Sequence, residues 1–476
     1  MKKIIGRTRE CERLEKCMNA TTAQLVVVYG RRRVGKTYLI NHYFENNLDF
    51  KITGAYGQSK KIQLRNFNDE LNRRTKVNKP VPKDWIEAFN NLREYIDTLD
   101  SETKHVFFID EMPWLDTHKS GFLAAFEYFW NDYGSSKDNL VFIICGSATS
   151  WMVDNIANNK GGLFNRQTCR IFLEPFTLGQ TKEFLETHGF NWSDYDIVEC
   201  YMIMGGIPYY LSLLESDLSY AQNIDNLFFR KKAELWDEFE HLYRTLFKNS
   251  DKYIEIVQCL SSKHRGCTRK EISEYTQIDA NGKLTRMLED LVNSGFVKIS
   301  SFYGNKKKDA LYQLSDYYTN FYFRFLKDNH GKDENFWSKA IENPSRRSWT
   351  GYTFEQVCKD HIQQIKMKLG VSGVMTNEYI WYSKENEDLG IPGAQIDLLI
   401  ERRDHIINIC EIKFSSNVFI IDKDYELKLR NKIEAFRSNT STKYGLQLTM
   451  ITTYGVKSNK YSSIVGNQVT LEDLFK

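Results

Sequence analysis

Residues 24–37 read Gln-Leu-Val-Val-Val-Tyr-Gly-Arg-Arg-Arg-Val-Gly-Lys-Thr, and this stretch decides the fold. The apolar, β-branched run 25–29 predicts a buried strand. Gly30 to Thr37 satisfy G-x-x-x-x-G-K-[ST], and TYLINHYF (37–44) continues as a helix. A strand before and a helix after are the context in which this motif holds phosphate. Gly30 and Gly35 let the backbone wrap phosphate oxygens with N–H donors at a helix N-terminus. Lys36 would reach the β- and γ-phosphates of ATP, and the Thr37 hydroxyl would ligate Mg²⁺. Arg31, Arg32, Arg33, Val34 and Tyr38 go with the same loop as nucleotide-site candidates. The arginine triplet is expected to be solvated, with an acidic partner as the alternative.

Such a site needs a second strand ending in an acid, and Val106-Phe107-Phe108-Ile109-Asp110-Glu111 supplies it. Asp110 would hold Mg²⁺ through water, and Glu111 would orient or deprotonate the attacking water. A third apolar strand ends at Gly146-Ser147. The Ser147 hydroxyl would contact the γ-phosphate or the water, unless this is a plain strand-to-loop turn. Arg166 is a candidate arginine finger acting on a neighbouring subunit, against the alternative of an ordinary surface arginine.

Composition agrees with a globular, multidomain chain. With 476 residues, 41% hydrophobic and 27% charged, it exceeds a usual single core and is neither disordered nor collagenous. The apolar runs fall far short of the roughly 20 residues a membrane span needs. The opening MKKIIGRTRE has no apolar stretch, so no secretory signal is expected. Nine cysteines without C-x-x-C spacing fit a reducing cytoplasm. A net charge of +3 permits nucleic-acid binding without requiring it.

The first 180 residues alternate strand and helix patterns, predicting an α/β fold with a parallel sheet. Residues 181–249 read as a helical segment. Within 250–330, three helical pieces (252–262, 268–276 and 283–295) precede FVKISSF and ALYQLSD, which flank the turn YGNKKKD. Helix–helix–helix–hairpin is the order of a winged helix. Lys283 and Arg286 on its third helix and Lys306, Lys307 and Lys308 on the hairpin tip would suit DNA. The alternative is an internal packing module with a solvated tip. A polar stretch then leads to a last domain, 346–476, mixing helix and strand.

In that domain residues 394–414 place two apolar strands around a polar turn near Arg402–Asp404. A tight hairpin centred there puts Asp397 across from Glu411, with Lys413 on the same face. Two carboxylates and a lysine on an apolar sheet suit metal-assisted phosphodiester cleavage. Asp397 and Glu411 would hold Mg²⁺, and Lys413 would position or activate the nucleophile. The alternative is an exposed charge pair on a solvated face.

Ile4-Ile5-Gly6-Arg7-Thr8-Arg9-Glu10 resembles the hydrophobic-Gly-Arg-x-x-Glu entry of AAA+ and STAND-type NTPases. Gly205-Gly206-Ile207-Pro208 resembles their Gly-x-Pro lid motif. The chain is similar to archaeal and bacterial AAA-like ATPases with a carboxyl-terminal restriction-endonuclease-like domain. No Met-His-Asp triplet occurs in the winged-helix segment, so the resemblance stops short of the nucleotide latch of some STAND proteins. It implies that Gly6 and Arg7 lie against the adenine and that Pro208 belongs to the lid. Asp397, Glu411 and Lys413 resemble the D…E-x-K motif of such nucleases, and the resemblance adds Glu355 as a further metal ligand. The expected partners are DNA, a protein partner or further copies of the chain, and no membrane. The expected activity is ATP hydrolysis coupled to a DNA-directed nuclease; the alternative is a nucleotide-gated binding switch whose nuclease-like domain is inactive.

Overall fold

Val26, Val27 and Val28 lie fully buried in β1 (Gln24–Tyr29), which can be so apolar because strands flank it on both sides. A computed structural model describes residues 4–157, 162–163, 165–304, 310–329, 331–340, 343–383 and 393–476. The chain divides into two units, 1–175 and 176–476, each described by itself.

In the first unit, helix α1 (Thr8–Met18) precedes β1, and α2 (Lys36–Tyr43) follows it. The sheet adds β2 (Phe50–Thr53), β3 (His105–Asp110), β4 (Leu140–Gly146) and β5 (Cys169–Phe172) in the order β2-β3-β4-β1-β5. Every pairing is parallel. The pattern reading missed β2 and β5 because four residues carry too little periodicity. A cluster rich in phenylalanine, including Phe50, Phe67, Phe89, Phe107, Phe126, Phe129 and Phe142, fills the core. Each contributes about 1.5–3 kcal/mol by leaving water.

The second unit opens with helices, among them α3 (Asp194–Met204), started by a Ser193–Asp196 capping box and buried from Ile197 to Met204. Helices α4 (Ser250–Ser261), α5 (Arg269–Thr276) and α6 (Gly282–Asn293) then lead into an antiparallel pair, β6 (Val297–Ser300) and β7 (Leu311–Leu314). Gly295, at φ 77°, follows the cap of α6. The hairpin-tip lysines Lys306, Lys307 and Lys308 lie outside the described residues.

Helix α7 (Pro344–Asp360) leads to a mixed sheet of β8 (Thr376–Ser383), β9 (Ala394–Arg402), β10 (Ile406–Lys413), β11 (Gly445–Thr452) and β12 (Asn467–Thr470). Strands β8, β9 and β10 pair antiparallel, and β10, β11 and β12 parallel. Helix α8 (Lys423–Thr440) supplies Leu429 and Phe436 to a core with Leu399, Ile407, Ile409, Leu448 and Met450. All nine cysteines are free thiols. Among the described residues no helix is long and apolar enough to cross a membrane.

Helix α7 is tied to α3 by a buried ion pair, Arg346 to Glu199 at 3.0 Å. The guanidinium lies over the Trp337 ring, 4.2 Å from its centroid, and donates to the Trp337 carbonyl. Removing one partner strands the other charge. Arg346→Met is expected to cost about 3–5 kcal/mol, and adding Glu199→Gln to recover much of it. Chemical denaturation of the two single variants and the double variant checks this; additive losses would refute the coupling.

Candidate functional site

The nucleotide-site candidates in the first unit gather at the carboxyl end of its sheet. Gly30 has a φ of 149°, and a Cβ there would meet the Leu173 carbonyl oxygen at 2.4 Å, so the turn out of β1 needs glycine. Gly35, at φ 92°, caps α2. Lys36 is buried, and its Nζ donates to the Gly30 and Arg31 carbonyls at 3.0 and 2.9 Å. The loop is thus wrapped around its own ammonium group. The arginine triplet departs from the solvated face expected of it: Arg31 is buried at 8% exposure, while Arg32 and Arg33 are half-buried. Val34 is fully buried and its carbonyl accepts from buried Arg7 at 3.0 Å. Burial lowers the Arg7 guanidinium to about 10. Arg7 therefore fastens the entry segment, with Gly6 at φ 64°, to the loop. Tyr38 is exposed and stacks on His42 with centroids 3.6 Å apart.

Thr37 Oγ1 donates to Asp110 Oδ2 at 2.8 Å, so a hydroxyl and a carboxylate meet as two oxygen donors. Strand β4 runs between β1 and β3, which places its tip between the loop and the acids. There the Ser147 N–H and Oγ both donate to Glu111 Oε2, at 3.0 and 2.8 Å. Glu111 itself has φ 47° and ψ 47°, an uncommon conformation for a residue other than glycine. The turn separates it from Asp110, so two adjacent carboxylates serve different neighbours. Arg166 is exposed at a loop in this unit. Pro208 belongs to the second unit, at the first turn of Pro208–Leu211.

The second set of candidates lies on the mixed sheet. Cys410 faces Leu398 across β9 and β10, so the next position brings Glu411 level with Asp397. Asp397 is buried and accepts from the Ile412 N–H at 3.3 Å. Glu411 is also buried, and Lys413 Nζ approaches its Oε1 at 2.9 Å. Two further partners come from α8: Tyr425 donates to Oε1 and Lys432 to Oε2, each at 2.6 Å. Sequence reading missed both. They share a seven-residue spacing, but nothing separates them from other polar residues of that helix.

Glu355, on α7, completes the patch. Burial, then the Asp397 charge, push its carboxyl up to about 7. Asp397 is raised by burial and by Glu411. Glu411 is burdened by burial, yet Lys413 and Lys432 bring it below the usual carboxylate range. Its oxygens are engaged, whereas half-buried Glu355 and buried Asp397 stay raised despite the lysine charges nearby, a donor pair that a divalent cation would suit. Among the described residues no group of three or more His, Cys, Asp or Glu side chains is gathered closely enough to hold a metal.

Residues 5–214 match the model of an ATPase domain predominantly from Archaea. An uncharacterized protein of Methanocaldococcus jannaschii is 24% identical over 365 residues, 76% of this chain and 78% of that protein. An uncharacterized ATP-binding protein of the same organism is 27% identical over 252 residues, 43% of this chain and 68% of that one. Among solved structures, a Walker-type ATPase of Pyrococcus abyssi is 18% identical, with 68% of this chain and 96% of that one covered and a TM-score of 0.47. The ORC2 protein of Aeropyrum pernix is 11% identical, with 76% and 96% covered and a TM-score of 0.43. The stretch that matches the ATPase domain contains the loop on Lys36 and the Thr37–Asp110 contact.

The Glu355 carboxyl gives a pH signature. Its folded value of about 7 lies above the ordinary 4.5, so the folded chain holds the proton more tightly than the unfolded chain. That stabilisation is complete below the unfolded value and is lost as pH rises from about 4.5 to about 7. In chelator, the melting temperature of the wild type should fall more across this window than that of Glu355→Gln. Parallel curves would contradict the assignment.

Proposed function

We propose, taking residues 5–214 as an ATPase domain, that this chain couples ATP hydrolysis to a DNA-directed, metal-dependent nuclease. The Thr37–Asp110 contact carries the first half of the reading, because it sets two oxygen donors beside the phosphate loop. Lys36 exchanges the Gly30 and Arg31 carbonyls for phosphate oxygens, and the loop N–H groups take the rest. Thr37 and Asp110 would hold Mg²⁺, which neutralises phosphate charge when bound. Glu111, steadied by Ser147, accepts the proton of the attacking water. Arg7 holds the entry segment against the loop, Pro208 belongs to the lid, and Arg166 serves as a finger in a homo-oligomer.

Lys36→Ala should lose tight ATP binding. Glu111→Gln should keep binding and lower turnover by about a hundredfold or more. Equilibrium binding and phosphate release measure the two effects, and wild-type turnover in both variants would overturn the site.

The second half rests on Asp397 lying level with Glu411, with Lys413 on the latter carboxylate. Asp397 and Glu355 would hold a divalent metal that activates water when bound. Lys413 positions the nucleophile, and the three helices with the hairpin form a winged helix that directs DNA. The rival is a nucleotide-gated binding switch with an inactive nuclease-like domain. Favouring it, Glu411 spends its oxygens on Tyr425, Lys413 and Lys432.

Incubation of supercoiled plasmid with Mg²⁺ or Mn²⁺, with and without ATP, separates the two. The nuclease reading expects nicking by wild type and loss of about a hundredfold or more in Lys413→Ala. No nicking under any condition would favour the switch, and equal nicking by both proteins would overturn the role of Lys413.

A further inference from the structure

The mixed sheet and the helix–hairpin segment enclose a cavity of about 610 Å³ within the second unit. Its lining runs from the loop after α4, across β6 and β7, to α7 and the strands β8 and β9. This volume falls in the range that holds one small ligand, about 300–1,000 Å³. A duplex, whose major groove alone is about 12 Å wide, does not fit wholly within such a space, whereas one nucleotide does.

Three kinds of side chain line it in different places. Glu355 and Asp397 stand together on one side. Lys298, ion-paired with Asp360, and Lys359, which follows Glu355 by one helical turn, supply cations. His264 and Tyr352 form a stacked pair with centroids 4.2 Å apart and planes inclined by 10°. Tyr352 remains 43% exposed, so this flat pair is open to a further ring. Flat rings for a base, ammonium groups for phosphates and carboxylates for a metal are the complement of one nucleotide in a strand. An apolar ligand would leave the charges desolvated without partners. An acidic peptide would have no use for the ring shelf.

We propose that this cavity binds single-stranded nucleic acid, seating a base on the Tyr352–His264 pair and leading its phosphodiester past Lys359 toward Asp397. The inference rests on reading the carboxylate patch as a phosphodiester site, and it names the substrate as a single strand rather than intact duplex. Its energetics follow from stacking, worth about 1–3 kcal/mol per base, assisted by charge pairing that weakens with salt.

Fluorescence anisotropy in chelator, where no strand is cut, tests it with a short fluorescein-labelled oligothymidylate and a duplex of equal length. The full-length protein should prefer the single strand. Tyr352→Ala should weaken that binding about tenfold, Lys359→Ala should weaken it and flatten its salt dependence, and Tyr352→Phe should bind as wild type does. Duplex binding through the helix–hairpin surface should be unchanged in all three. Unchanged single-strand affinity in both alanine variants, or equal losses for duplex and single strand, would overturn the proposal. Asp397→Asn separates this from the nuclease reading: it should bind the single strand normally while cutting nothing when metal is added. If the wild type also fails to cut yet shows the predicted binding pattern, the nuclease reading falls and the single-strand cavity stands.

Discussion

A carboxylate taken out of water must find donors or a positive charge, and this constraint organises both units. In the second unit Glu199 takes Arg346, and Glu238 accepts from the Tyr210 hydroxyl at 2.7 Å. Asp225 accepts from the Trp337 and Ser338 N–H groups at 2.8 and 3.0 Å. Each bond joins residues far apart in sequence, so each fixes helix against helix in one arrangement. Apolar contacts around them would tolerate sliding, whereas a displaced donor leaves a buried charge bare. Arg346 is the sharpest case. It answers Glu199 with its guanidinium edge and Trp337 with its face, so three segments must be in place at once.

The same constraint shapes the nucleotide site, with neutral donors in place of cations. Placing β4 between β3 and β1 inserts its tip between the acids and the loop. Asp110 then reaches the Thr37 hydroxyl, and Glu111, turned aside by its left-handed backbone, reaches Ser147. Had β3 lain directly beside β1, Ser147 would have no place between them. Hydroxyl and amide donors hold the carboxylates without neutralising them, which leaves their charge available to a cation or a water proton.

Much of this site is legible in the sequence because its parts are local. A phosphate loop needs glycines, lysine and hydroxyl within eight consecutive positions directly after a strand, and Asp110 and Glu111 announce themselves as the end of an apolar run. The interior position of Arg31 is less legible, since nothing in the triplet Arg31–Arg33 marks one arginine as more buried than the other two. In the mixed sheet, the Asp397–Glu411 register follows from hairpin symmetry alone. Tyr425 and Lys432 do not, because they reach Glu411 only once α8 has folded back over the strands. The short strands β2 and β5 are hidden for a similar reason. They gain their identity from pairing with β3 and β1, and the alternation within their own four residues is too short to stand out.

The two sites differ in what a ligand must displace. At the phosphate loop, Lys36 already gathers carbonyl oxygens, so arriving phosphates replace weak neutral acceptors with charged ones at little cost to the fold. At the sheet, three carboxyls (Glu355, Asp397 and Glu411) face three ammonium groups, with Lys413 and Lys432 on Glu411 and Lys359 acting on Glu355. Burial and the Asp397 charge nevertheless raise Glu355 to about 7, so it keeps its proton for much of the time near neutral pH. A divalent cation at Glu355 and Asp397 would demand that this proton leave, since a protonated carboxyl is a poor ligand. On the proposed reading, metal affinity at the sheet is therefore tied to proton release. Glu411 stays out of that exchange, because Lys413 and Lys432 together hold it ionised whether or not a cation is bound.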